Sequence, residues 1–165
     1  MQTESNFLNS STLQNLYQVI INSNFRIGWE DSHEDRLKQY PNLHSLYSFK
    51  DLENTKIIPY LKKFKSIDMD KYDSCIVNLT KTMDLNFIHT HPNQNVFLLY
   101  CNLTWNPEWG GETIFYKNNK TDILKTSSYI SNKAIFFDGE IPHTIKTQNI
   151  LGPVYRFTLS IFFNK

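Results

Sequence analysis

The chain has 165 residues, 40% hydrophobic and 15% aromatic, with a formal net charge of +1. That length fits one domain with a sizeable core. The balanced charge gives no electrostatic case for a nucleic-acid or membrane-surface partner, and no apolar run approaches the roughly 18 residues of a membrane span. Cys75 and Cys101 lie in apolar runs, which points to buried free thiols and not to a disulfide framework. The opening MQTESNFLNSST has no basic segment followed by an apolar stretch. No signal peptide is expected, and a cytoplasmic location is the reading that follows. The triplets beginning at Asn78, Asn102 and Asn119 match glycosylation acceptors and, without an export signal, are read as chance matches.

In chain order, Ser11 to Asn22 places Leu13, Leu16, Val19 and Ile20 at helical spacing, with Ser10, Ser11 or Thr12 as caps. Phe25 to Trp29 reads as a short strand, and Glu30 to Asn42 as loop. A second helical pattern, Leu52 to Phe64, contains Pro59, which sets its first turn near Ile57. From about Tyr72 the signal is β. Strands are expected at Ser74–Leu79, Asn86–His91, Asn95–Leu103, Thr113–Tyr116, Asp122–Ile130, Ala134–Phe137, Thr144–Thr147 and Val154–Phe163, separated by turn residues. This order predicts a mainly β (α+β) fold, a β-sandwich or jelly roll, with N-terminal helices packed on one face. It divides into a helical part, about 1–70, and a β core, about 72–163.

Three features carry chemistry. His89 and His91 stand at i and i+2 of an expected strand, on one face with Cα atoms roughly 6.5–7 Å apart, so both imidazoles can converge on one metal ion. His143 follows Pro142 at a turn and supplies a third imidazole. The other histidines, His33 and His44, lie in the polar N-terminal third. Arg156 is one of only three arginines. In YRFTLSIFF it shares a strand face with Thr158 and Ser160. A buried guanidinium wants a carboxylate in bidentate geometry. That partner is either an internal acid or an anionic small molecule. Tyr100 and Asn102 share a strand face with Val96 and Leu98, which places them at the same mouth.

From His89 onward the chain resembles the prolyl 4-hydroxylase-like branch of the iron(II)/2-oxoglutarate-dependent dioxygenases. The landmarks are HTH (89–91), LLYCNLTW (98–105), WGGETIFY (109–116), AIFFDGEIPHTI (134–145) and YRFTLSIFF (155–163). Their order matches the family's His-x-Asp, Leu-Tyr-x-Asn, Gly-Gly-Glu, Phe-x-x-x-x-Pro-His and Arg. The resemblance implies a double-stranded β-helix, with His89 and His143 as iron(II) ligands and Arg156 on the distal carboxylate of 2-oxoglutarate. Tyr100 and Ser160 would assist Arg156, with Asn102 nearby. It further implies O2-dependent decarboxylation to succinate coupled to hydroxylation of an amino-acid or peptidyl C–H bond, a prolyl one among the candidates. The substrate is then a small molecule or a peptide.

At His91 the sequence departs from the family, which carries a carboxylate there. The site is either an active three-His centre, a centre completed by Asp84 or Asp138, or an altered site that only binds. A three-His dioxygenase that uses no keto acid is the alternative chemistry. Asn78 or Leu79 stands where relatives often carry another co-substrate tyrosine. Trp105 and Trp109 are candidate apolar walls of the mouth, and Glu30–Asn42 and Asn106–Trp109 candidate rim segments.

Overall fold

The computed structural model describes residues 1–29 and 42–165. Apart from Asn42, the loop expected at Glu30–Asn42 lies outside them. Its architecture follows from strands that bury both faces. β4 (Tyr72–Lys81), β5 (Gln94–Tyr100) and β10 (Tyr155–Asn164) pair antiparallel, β10 between the other two. Odd-numbered Phe157, Leu159, Ile161 and Phe163 enter one apolar cluster, while Phe162 enters another with Val96, Leu98 and Tyr100. Alternation thus sorts each strand between two interiors, and the sequence reads as a near-continuous apolar run.

β8 (Ala134–Asp138) extends this sheet beyond β5, and β1 (Gln2–Glu4) pairs with β8 at one edge. On the other side β3 (Asn42–Tyr47) joins β4, and β2 (Arg26–Trp29) forms the far edge. The order is β1-β8-β5-β10-β4-β3-β2. A second sheet holds β7 (Ile123–Ser127), β6 (Thr113–Tyr116) and β9 (His143–Ile145), in the order β7-β6-β9. The fold is mostly β with antiparallel sheets and few helices.

Helix α1 (Ser10–Ile21) starts one residue before the expected span. Its cap is Asn9, whose side chain accepts from the Thr12 amide at 2.8 Å, and not Ser10, Ser11 or Thr12. An asparagine at that position satisfies an orphan donor of the first turn. Leu13, Leu16 and Ile20 join the cluster that holds Leu99 and Leu159. Each fully buried aliphatic side chain contributes on the order of 1.5–3 kcal/mol. The second helical pattern splits in two. α2 (Phe49–Asn54) begins at a Ser48–Asp51 capping box, and α3 (Ile58–Leu61) begins after Ile57. Between them Lys56 has φ of 61°, a left-handed geometry that ends a helix.

Two strands escaped the sequence pattern. β1 is three residues long, and β3 (NLHSLY) mixes polar and apolar side chains on both faces. One expected strand is absent: Asn86–His91 makes only an isolated bridge, His89 to His143. The run Asp122–Ile130 forms a strand only from Ile123 to Ser127.

Candidate metal centre and anion cradle

Two neighbouring segments bring the imidazoles together. The amide of His89 donates to His143 O at 3.0 Å, and the amide of His143 donates to His89 O at 3.0 Å. This reciprocal pair fixes the two residues side by side. His143 therefore begins strand β9 and is not the turn residue expected. The His91 amide donates to Gly139 O at 2.8 Å, and the Gly139 amide to Gln94 O at 2.9 Å. A Cβ on Gly139 would lie 2.6 Å from His91 O, so only glycine lets this turn close behind the His91 backbone.

Ring centroids are 4.5 Å apart for His89 and His143, 5.0 Å for His89 and His91, and 5.3 Å for His91 and His143. One nitrogen from each lies within 4.8 Å of the others. The Nδ1 of His89 is 3.0 Å from Phe87 O, and the Nδ1 of His143 is 2.8 Å from Ile141 O. A carbonyl can only accept, so both Nδ1 atoms carry the proton and both Nε2 lone pairs are left for a ligand. Burial drives the pKa of His143 well below the usual histidine range, and His89 and His91 add to the shift. A neutral imidazole is the form that binds metal. No carboxylate joins the cluster among the described residues. Asp84 accepts from the Lys81 amide at 2.6 Å, and Asp138 pairs with Lys165 at 2.7 Å. Neither acid takes the place of His91.

A cleft of about 40 Å³ runs from the three imidazoles down to Arg156, past Asn78, Thr158 and Ser160. Arg156 is 1% exposed. Its Nε donates to Gly111 O at 3.0 Å, yet Nη1 and Nη2 have no partner. Glu112, an acid whose charge acts on it, bonds Lys146 through Oε1 at 3.1 Å and makes no bond to the guanidinium. Desolvation lowers the guanidinium pKa, though an arginine this basic keeps its charge. A buried cation with two idle donor groups costs on the order of 1–3 kcal/mol or more until an anion fills them. Of the two partners open from the sequence, no acid among the described residues bonds Nη1 or Nη2, and the chemistry of the cleft suits an anionic ligand.

Beneath the guanidinium lie two rings, Tyr129 at 4.6 Å and Tyr100 at 5.7 Å from its central carbon. The Tyr100 hydroxyl donates to Thr113 Oγ1 at 2.9 Å, so it reaches the cleft only through Thr113. Asn102, expected at the mouth, does not reach the cleft. Its Oδ1 accepts from the Phe157 amide at 2.8 Å and its Nδ2 donates to Tyr155 O at 2.9 Å. Its side chain anchors the start of β10 and does not line the cleft. The Tyr129 hydroxyl joins it, 2.7 Å from Asn102 Oδ1 and 2.6 Å from Phe157 O. Sequence reasoning missed Tyr129 because it lay inside a run taken for plain strand. Trp105 is packing and not cleft wall: its ring sits 4.3 Å from Tyr129, and its Nε1 donates to Gly110 O. Trp109 meets the Trp105 ring edge to face, with centroids 5.6 Å apart.

A wider cavity of about 420 Å³ lies at the outer edge of β3, beside Ser23, Arg26 and Asp51. It holds no convergent set of ligating groups, so its size does not make it the site.

No family model matches the chain, and no curated protein matches it. Solved structures do. A prolyl hydroxylase from Trichoplax adhaerens, in complex with a hypoxia inducible factor oxygen degradation domain peptide fragment, superposes with a TM-score of 0.62 at 16% identity, covering 99% of this chain and 82% of that one. A Pseudomonas putida prolyl-4-hydroxylase gives 0.65 at 11% identity over 99% and 91%. This chain has the prolyl-hydroxylase-like fold of the 2OG-Fe(II) dioxygenases. A 2OG-Fe(II) oxygenase family protein from Burkholderia pseudomallei shares it with a TM-score of 0.65 at 9% identity, over 97% of this chain and 82% of that one. Identities this low leave the roles of individual residues to be argued from the dioxygenase-fold cleft itself.

Proposed function

We propose that this chain is a single-domain iron(II)- and 2-oxoglutarate-dependent oxygenase that hydroxylates a C–H bond of an amino-acid or peptidyl substrate. One observation carries the reading: a buried arginine with two unpartnered Nη groups closes a cleft whose other end holds three convergent imidazoles.

His89, His91 and His143 would hold the metal. Arg156 would bind the distal carboxylate of the keto acid, with Ser160 and Thr158 offering hydroxyls along the cleft. Iron(II) and 2-oxoglutarate, when bound, supply O2-dependent decarboxylation to succinate coupled to hydroxylation. The protein's share is placement. Gly111 O and the Tyr129 ring fix the guanidinium head, and the two Nδ1 bonds aim His89 and His143. Val96, Leu98, Phe137 and Phe162 line the cleft with apolar surface and keep water from it. Three neutral ligands leave the first shell one negative charge poorer than His-x-Asp, which alters metal affinity and redox poise. A peptide substrate agrees with the peptide held by the Trichoplax adhaerens neighbour.

The test is succinate production from 2-oxoglutarate with iron(II) and O2, in the wild type and in Arg156→Ala. Uncoupled turnover in the wild type and none in the variant is the expected result. No succinate above a metal-free control, with metal occupancy confirmed, would overturn the reading. The all-imidazole ligand set favours a second reading, a three-His dioxygenase without a keto acid. Oxygen uptake unchanged by 2-oxoglutarate and by Arg156→Ala would select it.

A further inference from the structure

The wider cavity at the outer edge of β3 is no metal centre, yet a strand edge and a buried side chain build it. It shares no lining residue with the cleft. β2 pairs with β3 only over Asn42–His44 and stops at Arg26. Beyond that point, among the described residues, no strand covers the outer edge of Ser45–Tyr47. His44, Ser45, Leu46 and Tyr47 all line the cavity. A cavity against one face of a strand would meet every second residue. Four in a row place it against the edge, where unpaired N–H and C=O groups stand. His44 is 8% exposed, and its Nδ1 has no partner.

The charged walls of the cavity differ in sign. Arg26 forms no ion pair with an acid among the described residues. Asp51, on α2, accepts from the Ser48 amide and hydroxyl through Oδ2 alone, which leaves Oδ1 to the cavity. Those Ser48 bonds hold its carboxyl below the usual range, so it is ionised at neutral pH. A ligand with one charge would answer only one of these two groups.

We infer that this cavity binds a free α-amino acid with a hydrogen-bonding side chain, seated as one extra residue on the edge of β3. In an antiparallel pair, opposed residues exchange N–H and C=O bonds. The ammonium and carboxylate of one amino acid can make the same exchange with the exposed edge. Arg26 takes the carboxylate, and Asp51 Oδ1 takes the ammonium. A side-chain carboxamide or hydroxyl gives His44 a partner whichever ring nitrogen carries the proton. A dicarboxylate would set its second charge against Asp51. The volume, about 420 Å³, lies within the roughly 300–1,000 Å³ of small-molecule sites. The inference does not rest on the oxygenase reading, since none of its residues touches the metal centre or Arg156.

The probe is L-glutamine, titrated into the intact chain while the His44 ring nitrogens are followed by NMR. Acetate and methylammonium, which carry one charged end each, are run in parallel. A saturable shift of His44 is expected with glutamine and with neither control. Arg26→Met should weaken glutamine about tenfold, the value of one charge-assisted hydrogen bond. Arg156→Ala should leave its affinity unchanged. No saturable shift in the wild type, or an equal response to acetate or methylammonium, would overturn the site. So would unchanged affinity in Arg26→Met. Loss of binding in a folded Arg156→Ala would overturn it too, by placing glutamine in the cleft. The first two outcomes are read on the wild type, so a misfolded variant cannot decide the matter.

Discussion

The two faces of β10 make opposite use of one strand. Toward the helices it presents Phe157, Leu159, Ile161 and Phe163, all packed in one apolar cluster. Toward the cleft it presents Arg156, Thr158, Ser160 and Phe162, and Arg156 keeps two nitrogens without partners. Both faces are buried, so exposure does not distinguish them. What distinguishes them is whether every group is satisfied. Folding alone rewards the first face. The second makes physical sense only with something bound, because a buried polar group left unpaired is a standing cost.

Substitutions on the two faces should therefore separate stability from binding. The largest effect is expected from Phe157→Ala, a loss of about 3–5 kcal/mol of stability by denaturant unfolding; the folded fraction should bind 2-oxoglutarate as before. Arg156→Ala should do the reverse. Removing a bidentate charged contact of about 3 kcal/mol weakens 2-oxoglutarate by about 100-fold in calorimetry. Its melting temperature should hold or rise, because an uncompensated cation has gone. At the other end of the cleft, His143→Ala should weaken metal binding by at least about 100-fold, the upper end of what loss of an outer-shell partner alone costs. His91→Asp should retain the metal, since it restores a carboxylate at that place. Asn102→Ala should cost about 1–3 kcal/mol of stability through the stranded Phe157 amide and Tyr155 carbonyl, with a smaller change in 2-oxoglutarate affinity. The smallest effect belongs to Ser160→Ala, about fivefold in that affinity. A large loss of stability in Arg156→Ala would break the comparison by making the arginine a structural member of the core.

The two faces were not equally legible in the sequence. The strands that bury both sides, β5 and β10, announced themselves as long apolar runs, and the i, i+2 rule put Arg156, Thr158 and Ser160 together correctly. His89, His91 and His143 were singled out by type and by their place beside proline. Asn86–His91 failed as a strand because its residues pair with β9 at one point only, a tertiary fact that no local pattern carries. β3 was missed because its alternation is blurred. Asn102 was placed near the cleft by alternation carried two residues past the end of β5. Beyond that end its side chain turns to the backbone of Tyr155 and Phe157. Tyr129 lay outside β7 altogether, so no strand rule could aim it at Arg156.

The reciprocal backbone bonds between His89 and His143 have a consequence for how the chain would meet a metal. In many small metal proteins the ligands are scattered until the ion gathers them, so chelation unfolds the chain. Here the peptide groups hold two of the three imidazoles in register, and the Gly139 turn braces the His91 backbone. The socket is assembled by the same hydrogen bonds that close the sheets. A chelator should thus leave the fold intact, and adding metal should raise the melting temperature only by the mass-action increment its dissociation constant dictates.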